Sequence, residues 1–278
     1  VSAPRIFSPL ARRQRRNRAA QGFSEFRFLH DFMREGIEER LSAVKRDFSD
    51  ILDLGCWDAS FSPPPSVRIT RCDPGYRFAN GAHGVQADED RLPFADAAFD
   101  LVVAIGTLDT VNDLPGALTL IRRALRPDGL FLGAFTGAGT LATLRRVLIQ
   151  AESDRPAARI HPQIDVQSAG DLLARAGFAL PVADTESLSV RYRDIFSLFR
   201  DLRGMAATNV MTQRSPLSRA TLAAAAQAFA ALGDADGRTT ERFEVITVTG
   251  WAPDPSQPKP ARRGSASASL AEALKPKD

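Results

Sequence analysis

The segment Ile51-Leu52-Asp53-Leu54-Gly55-Cys56-Trp57-Asp58-Ala59 opens as an apolar run that ends in Asp-x-Gly. A strand ending this way turns into a loop whose backbone amides approach a ligand that a side chain would block. Trp57 and Ala59 stand where such a loop would use glycine. Asp73 closes the next apolar run, at a distance along the chain that suits a nucleoside or dinucleotide site, because a carboxylate there accepts hydrogen bonds from both ribose hydroxyls. Asp73 equally reads as the first residue of an Asp-Pro-Gly turn. Further along, Arg191, Tyr192, Arg200 and Arg203 are of types that cover a substrate or anchor its carboxylate, and also of types that pack or carry solvated charge. His30, His83 and His161 are the only histidines, and no two of them stand with a carboxylate at a familiar metal-binding spacing, so no metal is expected. Cys56 and Cys72 lack a C-x-x-C spacing and read as free buried thiols.

These residues need elements to hold them. Phe28, Leu29, Phe32, Met33, Ile37, Leu41 and Val44 recur at helical steps with charged residues between them, which predicts an amphipathic helix ahead of the Gly55 segment. Short apolar runs at Asp50 to Leu54, Val67 to Cys72, Phe99 to Ile105 and Leu130 to Phe135 predict strands. Between the last two, Leu118, Ile121 and Leu125 mark a helix with Asp113 as its N-cap and Pro127-Asp128-Gly129 as its stop. Such alternation implies an α/β fold with a mostly parallel sheet, helices on both faces and ligands beyond the carboxyl ends of the strands. Helices are then expected over Thr140 to Ala151, Val166 to Ala176, Asp194 to Met205 and Leu217 to Leu232. Extended segments are expected at Leu180 to Val190 and Glu241 to Trp251.

Composition sets outer limits. The chain has 278 residues, 44% of them hydrophobic, enough for one decorated domain with a sizeable core. No apolar run is long enough to cross a bilayer or reads as a secretory segment, so a cytoplasmic protein without a membrane span is expected. Arg5, Arg12, Arg13, Arg15, Arg16 and Arg18 make the first stretch a basic arm. Attraction to an acidic surface or nucleic acid and an organellar transit peptide are open readings of it. A solvated helix or flexible arm is preferred over nucleic-acid binding, because no aromatic residues interleave with the arginines. Prolines 253, 255, 258 and 260 predict an extended or disordered tail.

The ordered series Asp-Leu-Gly-Cys at 53–56, Asp-Glu-Asp-Arg-Leu-Pro-Phe at 88–94, Phe-Asp-Leu-Val at 99–102 and Leu-Arg-Pro-Asp-Gly-Leu-Phe at 125–131 resembles class I S-adenosylmethionine-dependent methyltransferases. Val-Asn-Asp-Leu-Pro-Gly-Ala-Leu at 111–118, Gly-Phe-Ala-Leu-Pro at 177–181, Val-Arg-Tyr at 190–192, Arg-Asp-Leu-Arg at 200–203, Ala-Thr-Asn at 207–209 and Gly-Trp-Ala-Pro at 250–253 narrow the likeness to one branch. That branch holds the malonyl-carrier-protein methyltransferase of biotin synthesis and, closer still, a mitochondrial complex I assembly factor that hydroxylates an arginine. The resemblance covers nearly the whole chain.

It implies a Rossmann-like fold of about seven strands at residues 25–251, with a basic arm at 1–24, a helical insertion at about 140–232 over the site, and a tail at 252–278. It implies S-adenosylmethionine as cofactor and methyl transfer to an unidentified acceptor as activity. The alternative within the same branch is a non-catalytic or arginine-hydroxylating assembly factor for complex I, with a respiratory-chain subunit as protein partner. Carried over residue by residue, Gly55, with Cys56 and Trp57 beside it, lines the methionine part of the cofactor, Asp73 meets the ribose, and Asp88 the adenine amino group. Ile105 and Gly106 pass close to the cofactor, and Asp53 supports the loop from below by accepting backbone amides. Asp109, Tyr192 and Arg200 are the candidates facing a substrate. The chain departs from the pattern at Trp57 and Ala59, at Asp109 where the branch has histidine, and at Pro63-Pro64-Pro65, which leave room for at most about two helical turns after the loop.

Overall fold

The computed structural model describes residues 5–152 and 157–258. The tail expected at 252–278 therefore falls largely outside the described residues. Among these, no helix is long and apolar enough to cross a membrane.

Seven strands form one sheet in the order β3-β2-β1-β4-β5-β7-β6. They are β1 (Asp50–Leu54), β2 (Arg68–Asp73), β3 (Val85–Gln86), β4 (Phe99–Ile105), β5 (Leu125–Thr136), β6 (Ala179–Tyr192) and β7 (Thr239–Trp251). The first five pair in parallel, β7 pairs antiparallel with β5, and β6 antiparallel with β7. The order reverses where β1 passes to β4, which puts the ligand crevice of this architecture beyond Leu54 and Ile105.

Strand periodicity decides the two cores. Leu101, Val103 and Ile105 of β4 face one cluster with Phe23, Met33, Leu198 and Phe229, while Val102 and Ala104 face another with Leu118, Ile121 and Leu173. The first cluster is covered by α2 (Phe28–Ser42), α5 (Ala142–Ala151), α7 (Ile195–Gly204) and α8 (Arg219–Ala230). The second is covered by α4 (Leu114–Ala124) and α6 (Val166–Arg175). Carboxylates cap the helices as their sequences suggest: Asp113 accepts the Gly116 amide at 2.8 Å, Asp165 the Ser168 amide at 2.7 Å and Asp194 the Ser197 amide at 2.7 Å. Gly177, at φ +83°, ends α6.

Several expectations change. Pro127-Asp128-Gly129 does not stop a helix but lies inside β5, where Asp128 and Gly129 exchange backbone bonds with Ala252. No helix follows the Gly55 loop, because Pro63, Pro64 and Pro65 lack the amides a helix would need. Within the stretch expected as a helical insertion, the extended segment expected at Leu180 to Val190 forms β6, which pairs with β7 over most of its length.

The basic start is not loose, and only part of it, with Arg5 and Arg18, is exposed to solvent. Ser8 caps α1 (Pro9–Ala19) by accepting the Ala11 amide at 3.2 Å, with Pro9 as its first residue. Phe7 exchanges two hydrogen bonds with the Asn112 side chain at 2.9 and 3.0 Å, and packs with Ala11 against Val210 and Met211. These apolar residues give the arm a buried face, so Arg12 and Arg16 on that face are buried too.

Candidate functional site

β1, β2 and β4 end together, and the groups singled out in the sequence gather at their carboxyl ends. Gly55 holds φ +74°, and a Cβ there would lie 2.5 Å from Thr107, so both conformation and space demand glycine. Trp57 and Ala59 adopt the left-handed conformation as well, at φ 43° and 60°. The loop keeps the backbone path of a glycine turn while carrying side chains that strain it.

Trp57 turns inward. Its indole is buried, donates from Nε1 to the Ile105 carbonyl at 2.8 Å and stacks on Phe23 at 4.7 Å between ring centres. His30 and Phe78 meet the indole edge-on. Burial pushes the His30 imidazole down to about 3, so it is neutral. The ring thus fills the space beside Gly106, the place assigned from sequence to the methionine end of a cofactor.

The acids of the expected cofactor line are each engaged by α1. Asp73, fully buried, receives Arg16 Nε at 2.9 Å and Nη2 at 2.5 Å, and also accepts the amides of Gly75 at 2.7 Å and Trp57 at 3.2 Å. Arg16 also lays its guanidinium 3.5 Å from the Trp57 ring centre. Arg13 Nη2 reaches Asp88 at 2.5 Å. Arg12 forks onto Glu89 at 2.5 and 2.7 Å and donates to the Thr107 carbonyl at 2.7 Å. Burial alone would raise the Glu89 carboxyl, but Arg12 and Arg16 hold it below its ordinary value.

Glu89, Thr107 and the three arginines were not among the site candidates. One sequence signal points to the arginines: Ser8-Pro9 starts a helix, and Arg12, Arg13 and Arg16 then share one side of it.

The remaining candidates divide. Cys56 lies buried in the loop beside Cys72, and burial pushes the Cys72 thiol up to about 12 and the Cys56 thiol higher, so neither is a thiolate. Asp53 does not accept loop amides. It is buried next to Asp73, with only Arg71 Nε near it at 3.7 Å, and its Oδ2 has no hydrogen-bond partner. Burial pushes its carboxyl up to about 7. Asp109 accepts a bond from Thr136 Oγ1 at 2.7 Å and lines a cavity of about 550 Å³ adjoining Trp57 and Gly106. Tyr192 is packed in the core instead, and Arg200 lines a separate cavity of about 400 Å³. In the larger cavity His161 Nε2 accepts the Val210 amide at 2.9 Å, and burial lowers its basicity against the pull of Asp109.

S-adenosylmethionine does not fit this arrangement. Asp73, expected to meet the ribose, has both oxygens taken by Arg16, and the indole of Trp57 occupies the place expected for the methionine group.

A family model described as a methyltransferase domain matches residues 52–133. The mitochondrial arginine-hydroxylase NDUFAF5 of Danio rerio is 35% identical over 268 residues, which span 91% of this chain and 84% of that protein. The malonyl-[acyl-carrier protein] O-methyltransferase of Methylovorus sp. (strain MP688) is 31% identical over 85% of this chain and 86% of its own length. Among solved structures, the YcgJ protein of Bacillus subtilis superposes with a TM-score of 0.55 at 13% identity, covering 79% of this chain and 99% of that one, a likeness of fold alone.

Proposed function

This chain belongs to the class I S-adenosylmethionine-dependent methyltransferase family, in the branch of its arginine-hydroxylase and malonyl-carrier-protein methyltransferase relatives, and on that premise we propose a cofactor cleft that α1 latches shut. S-adenosylmethionine then binds only when α1 lifts away and the Trp57 indole leaves its place beside Gly106, and methyl transfer to an acceptor belongs to that open state. One observation carries this reading. Asp73, Asp88 and Glu89 are each neutralised by a single helix, although replacing a buried ion pair with apolar residues is commonly neutral or stabilising. Acids kept at that cost have a use beyond their arginines, and Asp73 and Asp88 are the two that the resemblance gives to the ribose and the adenine.

Opening the latch strips buried carboxylates of their partners, at about 3–5 kcal/mol for one such pair. The apparent affinity for cofactor then falls by roughly two to four powers of ten. Calorimetry with S-adenosylmethionine tests this. Arg16→Ala in the full chain should bind more tightly than wild type, and Asp73→Ala should not bind. Absence of binding to either wild type or Arg16→Ala at millimolar cofactor would sink the reading.

The packing of Trp57 favours a second reading. An indole stacked on Phe23 and bonded to Ile105 is what a permanently closed cleft would hold. The chain would then be a cofactor-free assembly factor for respiratory complex I, or an arginine hydroxylase as its relatives' names state, gripping a respiratory-chain subunit. Its sign is a stoichiometric protein partner unaffected by Asp88→Ala, or the mass of one added oxygen on a partner arginine. The arginine-hydroxylase relatives are named mitochondrial, and a cytoplasmic location stays a proposal for this chain.

A further inference from the structure

We propose that the larger cavity is a binding site for a small organic anion with an apolar chain, its carboxylate or phosphate head held by Arg15, Arg203 and Arg214. Among the described residues, the charges in this cavity do not balance. Six arginines line it, and three are already paired: Arg12 with Glu89, Arg16 with Asp73 and Arg159 with Glu152. Arg15, Arg203 and Arg214 form no ion pair among the described residues, and the one carboxylate in the lining, Asp109, is bonded to Thr136. Arg15 Nε is buried without a hydrogen-bond partner.

Uncompensated like charges repel one another, and they persist where a ligand of opposite sign supplies the balance. Arg15, Arg203 and Arg214 line the same cavity, and burial, with the neighbouring Arg18, Arg214 and Arg203, lowers the basicity of Arg15. Arg15 and Arg203 also border the smaller cavity with Arg18 and Arg200, so the positive surface continues past the mouth. Its guanidinium forks match the two oxygens of a carboxylate or phosphate.

The rest of the cavity suits a hydrocarbon chain. Leu144, Phe199, Leu202, Met205, Leu217 and Phe243 line it, and about 550 Å³ lies within the range of small-ligand pockets, about 300–1,000 Å³. A cationic head group would meet three like charges. The arginines of the head-group site are distinct from those that hold the acids, since none of Arg15, Arg203 and Arg214 pairs with Asp73, Asp88 or Glu89, although Arg12 and Arg16 also line the cavity.

Titration of the full chain with decanoate, decyl phosphate and decyltrimethylammonium, without cofactor, tests the proposal. Each anion should bind saturably at one per chain, and the tighter of the two identifies the head group. Arg203 and Arg214 are exposed, so their variants keep the fold, which circular dichroism checks. Arg203→Gln and Arg214→Gln should each weaken the anion about tenfold, and Arg214→Glu should abolish anion binding. Equal binding of the ammonium compound, or anion binding unchanged in all three variants, overturns it.

Discussion

Arg16 and Asp73 meet through two hydrogen bonds, at 2.9 and 2.5 Å, with both side chains buried, and the same guanidinium lies 3.5 Å from the Trp57 ring centre. The helix that carries Arg16 is thereby joined to the end of β2 and to the glycine-turn loop at once.

Removing either partner leaves an unpaired charge in the interior. Arg16→Ala should lower unfolding stability by about 3–5 kcal/mol, while Arg16→Leu combined with Asp73→Leu should recover much of the loss. Urea unfolding of the single and double variants reads this, and a double variant no better than the worse single one contradicts it.

The loop predicts opposite signs at two neighbouring positions. Ala59→Gly relieves a left-handed conformation and should stabilise by about 0.5–1 kcal/mol. Gly55→Ala adds a Cβ at 2.5 Å from Thr107 in a left-handed position and should cost more than about 2 kcal/mol. Thermal melts of both variants beside wild type suffice.

Asp53 makes stability fall as pH rises. Its folded carboxyl is pushed up to about 7 by burial, above the unfolded value near 3.9, so the folded state holds the proton more tightly. The contribution is complete below the unfolded value and is lost as pH rises through 7. Asp53→Asn should flatten this loss, on the order of 2–4 kcal/mol, between pH 4 and pH 8. Parallel unfolding curves for wild type and variant across that range would count against it.

Trp57 separates packing from access. Trp57→Phe loses the bond to the Ile105 carbonyl and should cost about 1–3 kcal/mol, and Trp57→Ala about 3–5 kcal/mol through the cavity it leaves. If the indole is what excludes cofactor, Trp57→Ala should bind S-adenosylmethionine more tightly than wild type despite its weaker fold, which calorimetry reads directly.

The periodicity of Phe28 to Val44, the four apolar runs and the cap at Asp113 were legible because each depends on neighbours within a turn or a strand. The missing helix after Gly55 was half legible, since three prolines limit a helix without saying whether a short one survives. The arm misled for a definite reason. An arginine's sequence neighbours do not tell whether its charge meets water or a carboxylate some sixty residues away, as Arg16 meets Asp73. The same limit hid Glu89, whose importance comes from Arg12 and Thr107 rather than from its own surroundings in the chain.

The sequence by itself determined the family through the ordered motifs that resemble it, and the α/β alternation and the position of Asp73 and Gly55 at strand ends because hydrophobic period and turn chemistry are local. Only the tertiary structure decided that the indole of Trp57 turns inward and that α1 closes over the acids. Those outcomes depend on which distant groups compete for one small volume, and there the buried charge of Asp73 and Glu89 selects arginine over water.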